Sequence, residues 1–385
     1  MRDVSIVGVG LTPVGEHWDM GLRQLALEAI QAALSDAGLD KVDAVIVANA
    51  LGGNLSAQNH LGALVADYAG MRGVETYRIE AADASGGVAL RQGYLAVASG
   101  AAETVLVLGV EKATDRTGTE RDTALATVLD ADYEAGGGAT PAALAALLMR
   151  RYMHEYGVTL DQFEGFSINA HANGALNAFA MYRNKLRPGS FAKAPIVAEP
   201  VNLFDSAPEG DGAAAILLTT TERAVDMVPR AVRIRGSAAA SDSLALHNRA
   251  DLLFLQAANL AAGRAYEQAG IRPGDLNVAE LHDSFTILTA LQLEAIGFAA
   301  RGEGWKLAAE NQLGRDGSLP ISTFGGLKAR GNPLGATGVY QAVEIALQLR
   351  RDAGDNQVPN ARLGLALNLG GLGSTAVAHI LERVE

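Results

Sequence analysis

Short apolar runs bounded by glycine-rich turns alternate along this chain with longer segments whose apolar residues recur at helical spacing. Residues 5–8, 44–48, 104–108, 214–218 and 363–367 are each a β-rich run closed by turn residues, the pattern of a buried strand. Residues 22–37 carry alanine or leucine at helical intervals and run into Gly38, a helix stop. Thr140-Pro141 is a helix start, and it predicts a helix over 142–156. Strands alternating with helices of roughly 10–15 residues define an α/β protein.

The pattern also repeats. Residues 25–49 resemble 257–281 at an offset of 232, with Ala33 on Ala265, Ala37 on Ala269, Gly38 on Gly270 and Asp43 on Asp275. One pair of copies this far apart predicts duplicated halves rather than solenoid units. The first half is expected over about 1–220 and the second over 230–385. Residues 115–208 differ in texture and lack polar linkers, so they read as an excursion of the first half that covers the site.

Composition narrows the function. With 385 residues and 49 % apolar content, the chain can bury a sizeable core. A net charge of −12 argues against nucleic acid or anionic membrane as a general partner. No apolar run approaches the roughly 18 residues of a membrane span. The first residues form a short apolar strand rather than a signal peptide, so a cytoplasmic location is expected. The absence of cysteine excludes disulfides and thiolate metal sites, and the seven histidines show no metal-ligand spacing.

Six motifs carry a resemblance. Ile79-Glu80-Ala81-Ala82-Asp83-Ala84-Ser85-Gly86-Gly87 is similar to the active-site turn of thiolases, with Asp83 at the position of the nucleophilic cysteine. Asn169-Ala170-His171 with Asn177 resembles the Lys-Asn-His…Asn-Pro stretch of the sterol-carrier-protein-type and archaeal-type thiolases. Leu281-His282-Asp283-Ser284-Phe285 resembles their His-Asp-Cys-Phe motif. Gly331-Asn332-Pro333-Leu334-Gly335 resembles the Gly-His-Pro loop with asparagine for histidine. Asn368-Leu369-Gly370 resembles the Cys-x-Gly loop with asparagine for the second cysteine. Phe204 to Ala215 resembles the turn into the last strand of the first half. Resemblance covers nearly the whole chain. It implies the thiolase-like duplicated fold: two pseudo-symmetric halves, each with a mixed five-stranded sheet, in a layered αβαβα arrangement.

It also implies what is missing. A thiolase needs a thiolate nucleophile, an activating histidine and a second cysteine that moves the α-proton. Asp83, Asn332 and Asn368 replace all three, so ordinary acyltransferase turnover is expected to be lost. His282 keeps a ring donor for an enolate, Asn332 keeps an amide donor, and backbone N–H groups near Asp83 and Gly370 would form the second oxyanion hole. His171 is expected on the substrate side. No permanently bound cofactor is expected; the ligand implied is a coenzyme A thioester.

Two readings stay open. One is non-covalent enolate chemistry, such as retro-aldol cleavage with Asp83 as base. The other is a non-catalytic acyl-CoA-binding or scaffold subunit of a multienzyme complex, with Asp83 as a helix cap. A homodimer or higher assembly, and an OB-fold zinc-ribbon partner protein, follow from the resemblance. His60 reads as a packed histidine. His247 with Asn248 and Arg249, and Lys185 or Arg187, read as solvated surface or as contacts for a CoA phosphate.

Overall fold

The computed structural model describes residues 1–384. Its strands are β1 (Val4–Leu11), β2 (Ala44–Ala48), β3 (Glu75–Ile79), β4 (Thr104–Glu111), β5 (Ile196–Ala198), β6 (Val201–Asn202), β7 (Gly212–Thr220), β8 (Val232–Ser241), β9 (Val278–Glu280), β10 (Leu363–Gly370) and β11 (Thr375–Arg383). Nine of them connect in the order β3-β2-β4-β7-β1-β8-β11-β10-β9, and β5-β6 form a separate hairpin. The halves meet at a narrow seam, where β1 and β8 pair only through Ser5–Arg233 and Ile6–Val232.

Outward from that seam the pairing repeats. β1-β7-β4 on one side and β8-β11-β10 on the other are antiparallel, and each then adds a parallel strand, β2 or β9. The first half completes five strands with β3. The second stops at four plus one bridge, Ala279–Ile321. Pro320 supplies a carbonyl to Ala279 N–H but has no N–H of its own, so the ladder cannot extend there. The repeated segments are equivalent in the fold. Helices Leu22–Ala37 and Gln256–Ala269 each end in a left-handed glycine, Gly38 or Gly270, and each packs on its half's seam strand.

Between the two halves of the nine-stranded sheet lie helices Ser85–Ser99 and Thr337–Arg350, packed against each other. Glycine permits their approach. A Cβ at Gly86 would lie 2.7 Å from Val339 N, and one at Gly338 would lie 2.3 Å from Gly87 N. This contact brings both helix N-termini to one point, which becomes the centre of the site.

Much of the excursion packs on the second half rather than on the half that contains it in sequence, although Ala124 joins Ala50, Leu51 and Leu55 of the first half. Helix Pro141–Tyr156 starts as expected, with Thr140 Oγ1 accepting from Ala143 N–H. Its Leu144, Leu148, Met149 and Tyr152 join Phe163 and Phe166 in one apolar cluster with Ala261, Leu291 and Leu367 of the second half. Tyr152 donates to the buried Glu294 at 2.6 Å. Among the described residues no helix is long and apolar enough to cross a membrane.

Candidate active site

Asp83 stands in the turn between β3 and helix Ser85–Ser99. Ala82 before it has φ +51°, a left-handed conformation unusual for alanine. The turn is pinned on three sides. Ala81 N–H donates to Ser85 Oγ at 2.9 Å, Ser85 Oγ donates to Ala82 O at 2.5 Å, and Ala82 N–H donates to Glu80 Oε1 at 2.6 Å. Gly370, at the end of β10, lies against it; a Cβ there would meet Ala81 O at 2.6 Å.

Asp83 is not a helix cap, contrary to that sequence reading. Ala84, already in right-handed helical conformation, occupies the cap position, with no side-chain bond to the helix. The N–H of Gly87 in the first turn is taken from across the fold by Asn368 Oδ1, at 3.1 Å.

That bond fixes the chemistry of the neighbouring imidazole. Because Gly87 N–H can only donate, the Asn368 oxygen must face it. Asn368 Nδ2 is therefore the donor in its 3.3 Å contact with His282 Nδ1. An accepting Nδ1 in a neutral ring places the proton on Nε2. His282 is fully buried, and burial, aided by the positive Arg330, pushes it down to about 3, so the ring is neutral at physiological pH. Nε2 has no hydrogen-bond partner among the described residues. It points an unspent N–H towards Asp83 Oδ2, 3.7 Å away.

Asp83 itself is 17 % exposed. Burial, then the charges of Glu111, Glu209 and Glu80, push it up to about 7. It is thus poised to take or give a proton near neutrality.

Asn332 is held from the other direction. Its Oδ1 accepts from Leu334 N–H at 3.1 Å and from the Thr337 hydroxyl at 2.6 Å. Its amide hydrogens have no acceptor among the described residues. Its backbone pairs with the strip before β7, Asn332 N–H to Pro208 O at 2.8 Å and Gly210 N–H to Asn332 O at 3.1 Å. Behind these groups lies a buried ionic layer that sequence reasoning missed. Asp283 accepts from Leu327 N–H at 2.7 Å, Lys328 donates to Asp205 O, and Arg330 Nε lies 2.7 Å from Glu344. This layer ties the His282 loop to the Asn332 loop; burial pushes Lys328 down to about 8.

Asp83, His282, Asn368 and Gly370 thus lie together at one end of the paired helices, with Asn332 on the loop that leads into helix Thr337–Arg350. His171 makes no hydrogen bond or ring contact with any of them among the described residues. It lies in helix Glu164–Gly174, with Nδ1 3.1 Å from Asn184 O, between Tyr182 and Phe204. His60 is exposed rather than packed. His247 lies edge-on to Tyr133, and Arg249 is buried, donating to Leu372 O at 3.0 Å. Lys185 and Arg187 are exposed. Glu111 and Glu209 were not singled out from sequence; the visible signal was an apolar strand ending in glutamate at Glu111. No group of three or more potential ligands could hold a metal ion among the described residues.

A duplicated layered fold with these motifs at the meeting of two helix N-termini defines a thiolase-type scaffold. The thiolase N-terminal domain model matches residues 4–193, and the thiolase C-terminal domain-like model matches 238–383. The chain is 41 % identical to an acetyl-CoA acetyltransferase of Methanothermobacter thermautotrophicus over 100 % of both chains. It is 30 % identical to a steroid side-chain-cleaving aldolase of Thermomonospora curvata over 89 % of each. A solved structure described as the Ltp2-ChsH2(DUF35) aldolase is similar with a TM-score of 0.84 and 28 % identity, covering 99 % of this chain and 98 % of that one. The chain belongs to the thiolase family, and it has no cysteine to serve as the nucleophile.

Proposed function

We propose that this chain binds a coenzyme A thioester and cleaves a β-hydroxyacyl-CoA by retro-aldol chemistry, without an acyl-enzyme intermediate. The observation that carries the reading is the unspent His282 Nε2–H facing a carboxylate that titrates near neutrality. Asp83 takes the proton of the β-hydroxyl group. The Cα–Cβ bond breaks, its electron pair passing into a thioester enolate, and the hydroxyl-bearing carbon leaves as an aldehyde or ketone. His282 Nε2–H and the Asn332 amide stabilise the enolate oxygen. The proton held on Asp83 then passes to Cα, giving a shortened acyl-CoA. Atoms and electrons balance with no oxidant or cofactor.

Acyl transfer of the ordinary thiolase kind is lost on this reading. A carboxylate attacking a thioester yields a hydrolysable mixed anhydride, and Asn368 has no titratable group to move a proton and both ends of its amide engaged. The similar aldolases support the reaction class. Gly370 and His171 remain substrate-side positions on the same reading. Assembly belongs to it as well. β3 is the sheet edge of the first half, with Tyr77 40 % exposed, and a second copy pairing there would cover it. An OB-fold zinc-ribbon protein is the proposed second partner; the similar solved aldolase is described with a DUF35 protein.

The test is a thioester-binding screen followed by product analysis on each β-hydroxyacyl-CoA that binds. Release of a carbonyl compound with an acyl-CoA, abolished in Asp83→Asn with binding retained, supports cleavage. Binding without turnover, with and without the partner, supports the scaffold reading instead.

A further inference from the structure

His282 sits where two strands part. The parallel pairing of β9 with β10 ends at Glu280–Ala366. Two residues further along, a continued ladder would set His282 beside Asn368, and their side chains do meet there at 3.3 Å. The main chain turns at this point, Asp283 N–H closing on Leu281 O at 3.1 Å around His282. Two buried glutamines take up polar groups that the ladder no longer serves. Gln292 spans the main chain of His282. Its Oε1 accepts from His282 N–H at 3.0 Å, and its Nε2 donates to His282 O at 2.8 Å. Its other amide hydrogen goes to Leu288 O at 3.0 Å, one turn earlier in helix Thr286–Ala295. On the facing strand, Gln341 Nε2 donates to Leu367 O at 3.1 Å and reaches Glu280 O at 3.5 Å.

We propose that Gln292 is a positioning residue for His282, with Gln341 bracing the facing strand, and that this clamp sets the spacing at which the Asn368 amide meets the imidazole. Every residue of helix Thr286–Ala295 is buried, so an amide there is unfavourable unless its hydrogen bonds are made. Gln292 makes them, and two of the three go to the residue whose ring faces Asp83. The helix begins directly after the Leu281 to Phe285 motif, so it folds its glutamine back onto its own loop. The consequence runs outward. The clamp fixes the His282 main chain, the main chain fixes the ring against Asn368, and that contact keeps the proton on Nε2. A 3.3 Å contact lies at the long end of the hydrogen-bond range, so a shift of about 0.5 Å breaks it. With Nδ1 released, nothing selects one tautomer. The catalytic meaning of the clamp rests on the retro-aldol reading; the ring geometry does not.

Gln292→Met keeps the length of the side chain and its packing, and removes both bonds to His282. The ring-nitrogen NMR signals of His282, assigned by their absence in His282→Ala, report which nitrogen holds the proton. The unmodified chain should show one tautomer, protonated on Nε2. Gln292→Met, shown folded by its thermal melt, should show a mixture of the two. Exchange of acetyl-CoA α-protons in D₂O should slow about 10–100-fold, with the half-saturating concentration within about twofold, because a buried residue that misplaces the donor touches no substrate. A folded Gln292→Met that keeps the single Nε2–H tautomer overturns the proposal. Should it not fold, Gln292→Asn takes its place, its amide one methylene short of His282, with the same result expected and the same result fatal. An Nδ1–H ring in the unmodified chain overturns the proposal without any variant. Mixed tautomers in Gln292→Met, with no exchange by the unmodified chain, leave the clamp standing and refute only the retro-aldol reading.

Discussion

Replacing Asp83 by asparagine should make the protein more stable, and only above acid pH. Burial and three neighbouring carboxylates raise Asp83 from 3.8 to about 7. The sign follows from linkage. A carboxyl raised on folding contributes its stability fully below the unfolded value near 3.8 and loses it as pH rises towards 7. Above 7 the folded state carries the whole cost of an ionised Asp83. Three pH units at about 1.4 kcal/mol each give about 4 kcal/mol as a ceiling. The carboxylate keeps some hydration, so about 2–4 kcal/mol is the working range. Asparagine has nearly the same shape and no charge, so Asp83→Asn removes the cost. For a chain of this length the gain corresponds to a melting temperature higher by up to about 5 °C at pH 8. At pH 4 the two proteins should be nearly equal. Urea unfolding midpoints at both pH values, at fixed protein concentration, make the comparison. Equal stability at pH 8, or a gain as large at pH 4 as at pH 8, would refute the reasoning and return Asp83 to an ordinary solvated carboxylate.

Three further outcomes follow from the same geometry. His282→Ala should slow cleavage about 10²–10³-fold with thioester binding little changed, because it deletes an oxyanion donor; steady-state kinetics beside a binding isotherm separate the two. Gly338→Ala should destabilise the fold by about 1–3 kcal/mol, since its methyl group would sit 2.2 Å from Asn368 Oδ1 and force the two helices apart; denaturant melts read this directly. Asp83→Cys should not restore acetoacetyl-CoA thiolysis, because Asn332 and Asn368 still lack the proton-transfer groups; a thiolysis assay at neutral and alkaline pH checks it.

The sequence made the duplicated scaffold legible where burial dictates composition. Ala44–Ala48 and residues 104–108 are buried throughout and read as strands from their apolar content alone. β3 escaped notice because an edge strand need not be apolar, and Glu-Thr-Tyr-Arg-Ile faces outward at several positions. β8 was obscured by Arg233 and Arg235, which pair with Glu382 on its neighbour β11. Asp83, His282 and Asn368 were found through local motifs, but their hydrogen-bond order was not. The tautomer of His282 depends on Gly87, which reaches Asn368 only because helix Ser85–Ser99 packs onto β10, far away in sequence. Glu111 and Glu209 were missed for the same reason: their influence crosses the fold and leaves no spacing to read. His171 shows the converse, a recognisable motif position whose contacts are Asn184, Tyr182 and Phe204.

Enolate formation at this site does not depend on knowing the natural acyl group, so deuterium exchange tests it most directly. Acetyl-CoA and propionyl-CoA, incubated with the protein in D₂O, should lose α-proton signal in the NMR spectrum faster than in buffer alone. By microscopic reversibility, the group that protonates Cα after cleavage removes that proton in the exchange. The account predicts exchange by the unmodified chain, its loss in Asp83→Asn, its marked slowing in His282→Ala, and no acyl adduct by intact-protein mass. Bound thioester with no exchange above buffer, or exchange equally fast in Asp83→Asn, would contradict it.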